Sequence, residues 1–239
     1  MYALKANFYP AQEPNAGYIG KADITIANAV RLNNISVFEN PADGTRSIAF
    51  AKFGKDNERS YIIPSSKEAY AAALAVISKA VDSENHFAVE KGDFGVKLEV
   101  KGAKVNEPYA DGRFTVTVGD FCTLNGISTR EASYTKDGEK KEFVAVDIPP
   151  VRDAEGKVKQ YTDHEGNQHV NLQYECLKDK YTNKEGKEVS TDYKALMNNM
   201  IRKCRKEMMN CLDASIDAAN AQKSSAEQTN DAPVKEQGR

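Results

Sequence analysis

Two groupings of side chains in this sequence are of types that do chemistry: a histidine pair around a carboxylate, and clusters of lysine and arginine. The stretch HEGNQH, His164 to His169, invites comparison with zinc hydrolases, which set two His one helical turn apart with a Glu beside them. Here the spacing is i, i+5, and Gly166-Asn167 would break a helix, so the stretch reads as a hairpin turn. Cys122, Cys176, Cys204 and Cys211 form no C-x-x-C pair and stand where apolar residues fit the local pattern. They read as small buried hydrophobes in a reducing compartment. There is no G-x-x-x-x-G-K-[ST] loop, no G-x-G-x-x-G turn and no G-x-S-x-G elbow. Carboxylates lie in turns or beside lysines, the pattern of a solvated face. No residue set proposes a reaction, so a protein that is not an enzyme, with no cofactor, metal or small-molecule substrate, is expected.

The basic residues are the more informative remainder. Lys52, Lys55 and Arg59 surround the loop FGKDNERS, and Lys67 follows at the start of a helical pattern. Arg152, Lys157 and Lys159 form a second loop cluster, and Arg202, Arg205 and Lys206 share one face of a C-terminal helix. Such clusters hold phosphates when they lie unpaired on one surface; otherwise they keep a protein soluble. With a formal net charge of −2, the chain cannot coat nucleic acid through bulk charge, and any such binding must come from a local patch.

The elements that would position these residues are written twice. GKADITIANAVRLNNIS (Gly20 to Ser36) and GRFTVTVGDFCTLNGIS (Gly112 to Ser128) align without a gap at a constant offset of 92. Thr25 matches Thr117, Leu32 matches Leu124, Asn33 matches Asn125, Ile35 matches Ile127 and Ser36 matches Ser128. A period this long means a duplicated domain rather than a solenoid. In the first copy, alternation predicts strands over 18–26, 31–38 and 46–53, with NPADG as a hairpin loop. Pro64 then stops a strand, Ser65 with Glu68 forms a capping box, and a helix runs to about Val81 with Tyr70, Ala73, Leu74, Ile77 and Val81 as its apolar stripe.

The second copy repeats the order, with strands over 96–105, 113–118, 123–134 and 141–148. Between Pro149 and Glu188 it inserts three Gly-centred turns, DAEGK, DHEGNQ and NKEGK, with strands around 168–177 and 178–181. Ser190-Thr191 caps a helix from Asp192 to about Ala219, with Tyr193, Leu196, Met197, Met200, Ile201, Cys204, Met208, Cys211 and Leu212 as a core-facing stripe. The expected organisation is a first domain over 1–82, a linker over 83–92, a second domain over 93–220 and a disordered polar tail over 221–239. The longest apolar run, Ala69 to Ile77, is too short to span a bilayer, and the N-terminus lacks a secretory pattern. A cytoplasmic location without membrane contact follows as the default.

The segments Ala22 to Asn28, Ile35 to Glu39, Ile48 to Phe50 and Ile62 to Ser66, with Val116 to Asp120 and Phe143 to Val146 in the second copy, resemble the SpoVG family of bacterial septation and regulatory proteins. The resemblance covers most of 18–81 and 112–150. It implies an α+β fold in two tandem SpoVG-like units, each an antiparallel sheet followed by a C-terminal helix. Members of the family dimerise through sheet edges and bind nucleic acid through basic residues after the "FVA" strand. By position, that places contacts to DNA or RNA on Lys52, Lys55 and Arg59, and on Arg152, Lys157 and Lys159. Asp56 and Glu58 dilute the first cluster, and Asp147, Asp153 and Glu155 the second. A tandem copy could cover the open sheet edge within one chain, as an intramolecular pseudo-dimer, or the chain could self-associate through that edge. The alternative is a protein-interaction module using sheet edges or the long helix. Divergence of both copies from the family fits an origin on a mobile element.

Overall fold

The computed structural model describes residues 2–15, 17–53, 59–92, 96–102, 113–182 and 186–230. Its N-terminal half comprises β1 (Tyr2–Asn15), β2 (Tyr18–Ile26), β3 (Val30–Glu39), β4 (Arg46–Ala49), β5 (Lys52–Phe53), β6 (Arg59–Ser60), β7 (Ile62–Pro64), α1 (Lys67–Asp82) and β8 (Phe87–Gly92). The C-terminal half comprises β9 (Leu98–Gly102), β10 (Phe114–Val118), β11 (Cys122–Lys136), β12 (Glu139–Asp147), β13 (Gln160–Thr162), β14 (Gln168–Val170), β15 (Tyr174–Cys176), β16 (Lys178–Thr182), β17 (Glu188–Asp192) and α2 (Tyr193–Asn230). The architecture is α+β, and among the described residues these strands all pair antiparallel.

Alternation of apolar residues builds the two main sheets. Ile24, Ile26, Leu32 and Ile35 in one, and Val116, Val118, Leu124 and Ile127 in the other, are fully buried. Together with α1 and α2 they form one contiguous core. The repeated L-N-x-I-S segment carries a bulge: Asn34 (φ 60°) and Gly126 (φ 84°) adopt left-handed backbone where the β2–β3 and β10–β11 registers shift. Gly20 is needed for a different reason, since a Cβ there would run into the Tyr9 carbonyl and the Phe8 ring.

The halves trade strands. β15 pairs with β3, setting Tyr174 opposite Leu32 and Cys176 opposite Val30. β7 pairs with β11, setting Ile62 opposite Leu124 and Pro64 opposite Cys122. The receiving residues are related by the sequence offset of 92, and the donated residues by 112, the excess arising mostly from the insertion after Pro149. The flanking bonds follow the same rule. Asn33 N donates to Gln173 O and Asn125 N to Tyr61 O, both at 2.8 Å, while Leu177 N donates to Ala29 O at 2.8 Å and Ser65 N to Phe121 O at 2.9 Å.

Several elements differ from the sequence expectation. β1, where no strand was expected, runs between β2 and β8, with Leu4, Ala6 and Phe8 buried in alternation with Lys5 and Asn7. Residues 83–92, expected as a linker, contain β8, which pairs with β1 from Asn7↔Phe87 to Tyr2↔Gly92. Ser66, not Ser65, caps α1 by accepting from Ala69 N, while Ser65, one residue further out, donates its N–H to Phe121 O. The buried face of α1 is Ala69, Ala73, Val76, Ile77 and Ala80, with Tyr70, Leu74 and Val81 on its flank, so the sheet is approached through small residues. Asp192 caps α2 by accepting from Ala195 N at 2.8 Å, while Ser190 and Thr191 belong to β17. On α2, Met197 and Ile201 are fully buried but Leu196 is exposed, and the helix continues to Asn230, past the expected end at about Ala219. Residues 231–239 of the expected tail lie outside the described residues.

Candidate functional site

The trade of strands carries a hairpin from one half onto the other. β5 and β6 pair through Lys52↔Ser60 and Phe53↔Arg59, so Arg59 stands across from Phe53 at the base of the FGKDNERS loop. Tyr61 follows, its N–H on Ala51 O at 3.0 Å and its carbonyl accepting from Asn125 N. This fixes the Tyr61 ring beside Gly126, where a Cβ would lie 3.1 Å from two ring carbons. Phe53 stacks on Tyr61 with ring centroids 4.6 Å apart and an interplanar angle of 22°.

Phe53 and Tyr61 form one wall of an open cleft of about 400 Å³ whose other lining comes from the C-terminal half, including Arg113, Asp147, Pro149 and Arg152. Burial raises the Tyr61 phenol above its ordinary value, while the charges of Arg152 and Arg113 pull it the other way. Arg152 donates one N–H to Gly156 O at 2.7 Å, which uses one of five guanidinium donors. Asp147 is ion-paired with Arg130 at 3.0 Å, so its negative charge in the cleft is compensated. Planar π faces beside guanidinium groups, with a net positive charge, can take a flat ring and an anion together.

Of the residues singled out by sequence, Lys52 and Arg59 lie on the hairpin that carries Phe53, and Arg152 lines the cleft from the opposite half. Lys55 lies outside the described residues. Lys67 is exposed at the first turn of α1, beside the Phe121 turn rather than the cleft. Lys157 is exposed in the DAEGK turn, held by its backbone N–H on Asp153 Oδ1 at 2.8 Å. Lys159 lies toward Lys21 instead, and its charge adds to burial in lowering the Lys21 ammonium pKa. The α2 cluster lies along the β11–β12 ribbon: Arg202 Nε donates to Val144 O at 2.9 Å and Arg205 pairs with Glu131 at 3.3 Å. Lys206 is exposed on the same helix.

Arg113, Phe53 and Tyr61 are site residues that the sequence alone did not single out. A signal for Arg113 exists, because Lys21 and Arg113 occupy the same position of the repeated segment and both are basic. HEGNQH is a hairpin, with Asp163 Oδ1 accepting from Glu165 N and Asn167 N and Asp163 Oδ2 meeting His169 Nε2 at 2.7 Å. Cys122 and Cys176 are buried as expected, but Cys204 is half-buried and Cys211 exposed, because α2 runs on past the sheet that covers its start. Among the described residues, no group of three or more His, Cys, Asp or Glu side chains could hold a metal, and no helix is long and apolar enough to cross a membrane. Compared with protein-family models, curated proteins and solved structures, the chain matches none.

Proposed function

We propose that this chain is a non-catalytic nucleic-acid-binding protein of SpoVG type, with two tandem units joined through their exchanged strands as an intramolecular pseudo-dimer. DNA or RNA would be held mainly through its phosphates. The observation that carries this reading is that Arg113 and Arg152 line one cleft, with Lys52 and Arg59 on the hairpin that supplies its Phe53, when a net charge of only −2 is spread over the whole chain. Local positive potential of this kind attracts a polyanion that the molecule as a whole would not. The test is fluorescence anisotropy with labelled DNA and RNA over a salt series. Affinity is expected to fall as salt rises, and Arg113→Gln with Arg152→Gln to reduce the slope by roughly one for each phosphate no longer neutralised. No binding of either polymer at low salt overturns the reading.

A second reading rests on the β11–β12 ribbon, where Tyr134 and Phe143 are exposed and pack edge-to-face with centroids 5.8 Å apart. Exposed aromatics on a two-stranded ribbon suit a protein partner. Recovery of one stoichiometric partner, insensitive to nuclease and abolished by Tyr134→Ser with Phe143→Ser, would favour it.

A further inference from the structure

The repeat relates the cleft to a second position, and the two have diverged. Counterparts follow from the hydrogen bonds. Gln173 N donates to Pro149 O as Tyr61 N does to Ala51 O, and Val151 N donates to Asn171 O where Phe53 pairs with Arg59. Gln173 therefore stands for Tyr61, Val151 for Phe53, and Lys21 for Arg113. At this second position the inserted chain folds over the site: Lys159 N donates to Val151 O and Asn171 N to Lys159 O, both at 2.9 Å. Val151 is 2% and Gln173 3% exposed as a result, and Lys21, donating to Ser36 Oγ at 2.8 Å, is desolvated. Phe53 remains partly exposed and Arg113 exposed at the open cleft.

We propose that the open cleft is a base-plus-phosphate pocket for single-stranded nucleic acid, and that it is the one such pocket of the two related positions. The proposal rests on the nucleic-acid reading above. The accessible side of the Phe53–Tyr61 stack offers a π face to one unstacked base, while Arg113 and Arg152 reach the adjoining phosphate. A base paired within a duplex cannot enter a concavity of about 400 Å³ between two loops without being unstacked, so single strands are selected by shape. Sequence preference from stacking is weak, since every base has a π face. The sealed counterpart has no aromatic ring at either position and carries two lysines that repel each other, so it takes no second base.

The probes are a short labelled oligothymidylate, the matching oligouridylate and a duplex of equal length, titrated by anisotropy with the stoichiometry read by calorimetry. Single strands are expected to bind one per chain and more tightly than the duplex. Phe53→Leu, which keeps apolar bulk without the π face, should weaken single-strand binding about 5- to 150-fold and leave duplex binding unchanged. Phe53→Trp should restore it, and an unchanged melting temperature shows that the variants fold. Binding of duplex and single strand with equal affinity, two oligonucleotides per chain, or indifference to Phe53→Leu overturns the pocket while leaving the nucleic-acid reading standing. Failure of all three probes to bind at low salt removes both.

Discussion

Asn33 and Asn125 make the same bond across the molecule: each donates from Nδ2 at 2.9 Å to a carbonyl of the opposite half, Leu172 O and Ser60 O. They are identical residues of the repeated segment, and their amides fasten the exchanged strands. They differ in one respect, since Asn33 Oδ1 is buried with no hydrogen-bond partner among the described residues. Asn125→Ala should therefore cost about 1–2 kcal/mol of stability, and Asn33→Ala less, because it also removes an unpaired buried acceptor. Equilibrium urea unfolding reads the difference, and the reverse order would mean that the two amides do not fasten the exchange alike.

Tyr174 ties the same junction from inside. Its ring is fully buried opposite Leu32, and its hydroxyl donates to Asn125 O at 2.6 Å. Tyr174→Phe should cost about 1 kcal/mol by deleting that bond, and Tyr174→Ala about 3–5 kcal/mol through the cavity. Because the core is continuous, either variant should still unfold in one transition, with fluorescence and circular dichroism midpoints coinciding. Two separated transitions would mean that the halves are energetically independent.

Thiol chemistry should follow burial. Burial pushes the Cys176 thiol up to about 12 and the Cys122 thiol higher still, so at pH 8 the thiolate fraction of Cys176 is roughly 10⁻⁴. Iodoacetamide on the native protein should modify exposed Cys211 first, Cys204 slowly, and neither buried thiol until urea is added. Rapid native labelling of Cys122, read by peptide mass, would show that the exchanged strands open.

How far the sequence carries depends on whether a feature is periodic or positional. Strands whose apolar residues alternate, such as 18–26 and 113–118, were legible because one face is buried and the other is not. The repeat made Leu32 and Leu124 recognisable as buried equivalents. The exchange itself was illegible, since Ile62 to Pro64 is only three residues long and nothing local says which sheet such a strand joins. β1 does alternate, with Leu4, Ala6 and Phe8 buried between Lys5 and Asn7, whereas β8 lies at the edge of its sheet and turns Phe87 and Val89 outward, so its apolar residues do not announce a buried face. Basic residues announced themselves by type, but their grouping did not. Arg152 reaches Phe53 and Tyr61 only through the exchange, while Arg205 spends its charge on Glu131.

Acid should loosen the β13–β14 hairpin late. The contact with His169, with backbone N–H bonds from Asn167 and Glu165, lowers the Asp163 carboxyl to about 2. Because the folded value lies below the unfolded carboxylate value of about 3.9, the contribution is fully present above that unfolded value and is lost as pH falls toward about 2. The Asn167 amide proton, followed by NMR, should titrate with a midpoint of about 2, and Asp163→Asn should abolish that titration. A midpoint at the ordinary carboxylate value would mean that the turn does not hold Asp163 in solution.

The basic residues should separate into two groups when tested one by one. Arg202 and Arg205 fasten α2 to the β11–β12 ribbon, through Val144 O and Glu131. Glu131 is largely exposed, so the Arg205 pair is worth at most about 1 kcal/mol. Arg205→Gln should thus lower stability slightly and leave the salt dependence of nucleic-acid binding unchanged. Arg113→Gln should change stability by no more than about 1 kcal/mol, as befits an exposed charge, yet reduce the salt slope by roughly one. Lys206, exposed on α2, should behave like a solubility residue and change neither. The discriminating measurement is the pair of quantities, urea midpoint and salt slope, for each variant. If Arg205→Gln flattened the slope as much as Arg113→Gln, the polymer would have to run along α2 as well as through the cleft, and the binding surface would extend across the ribbon.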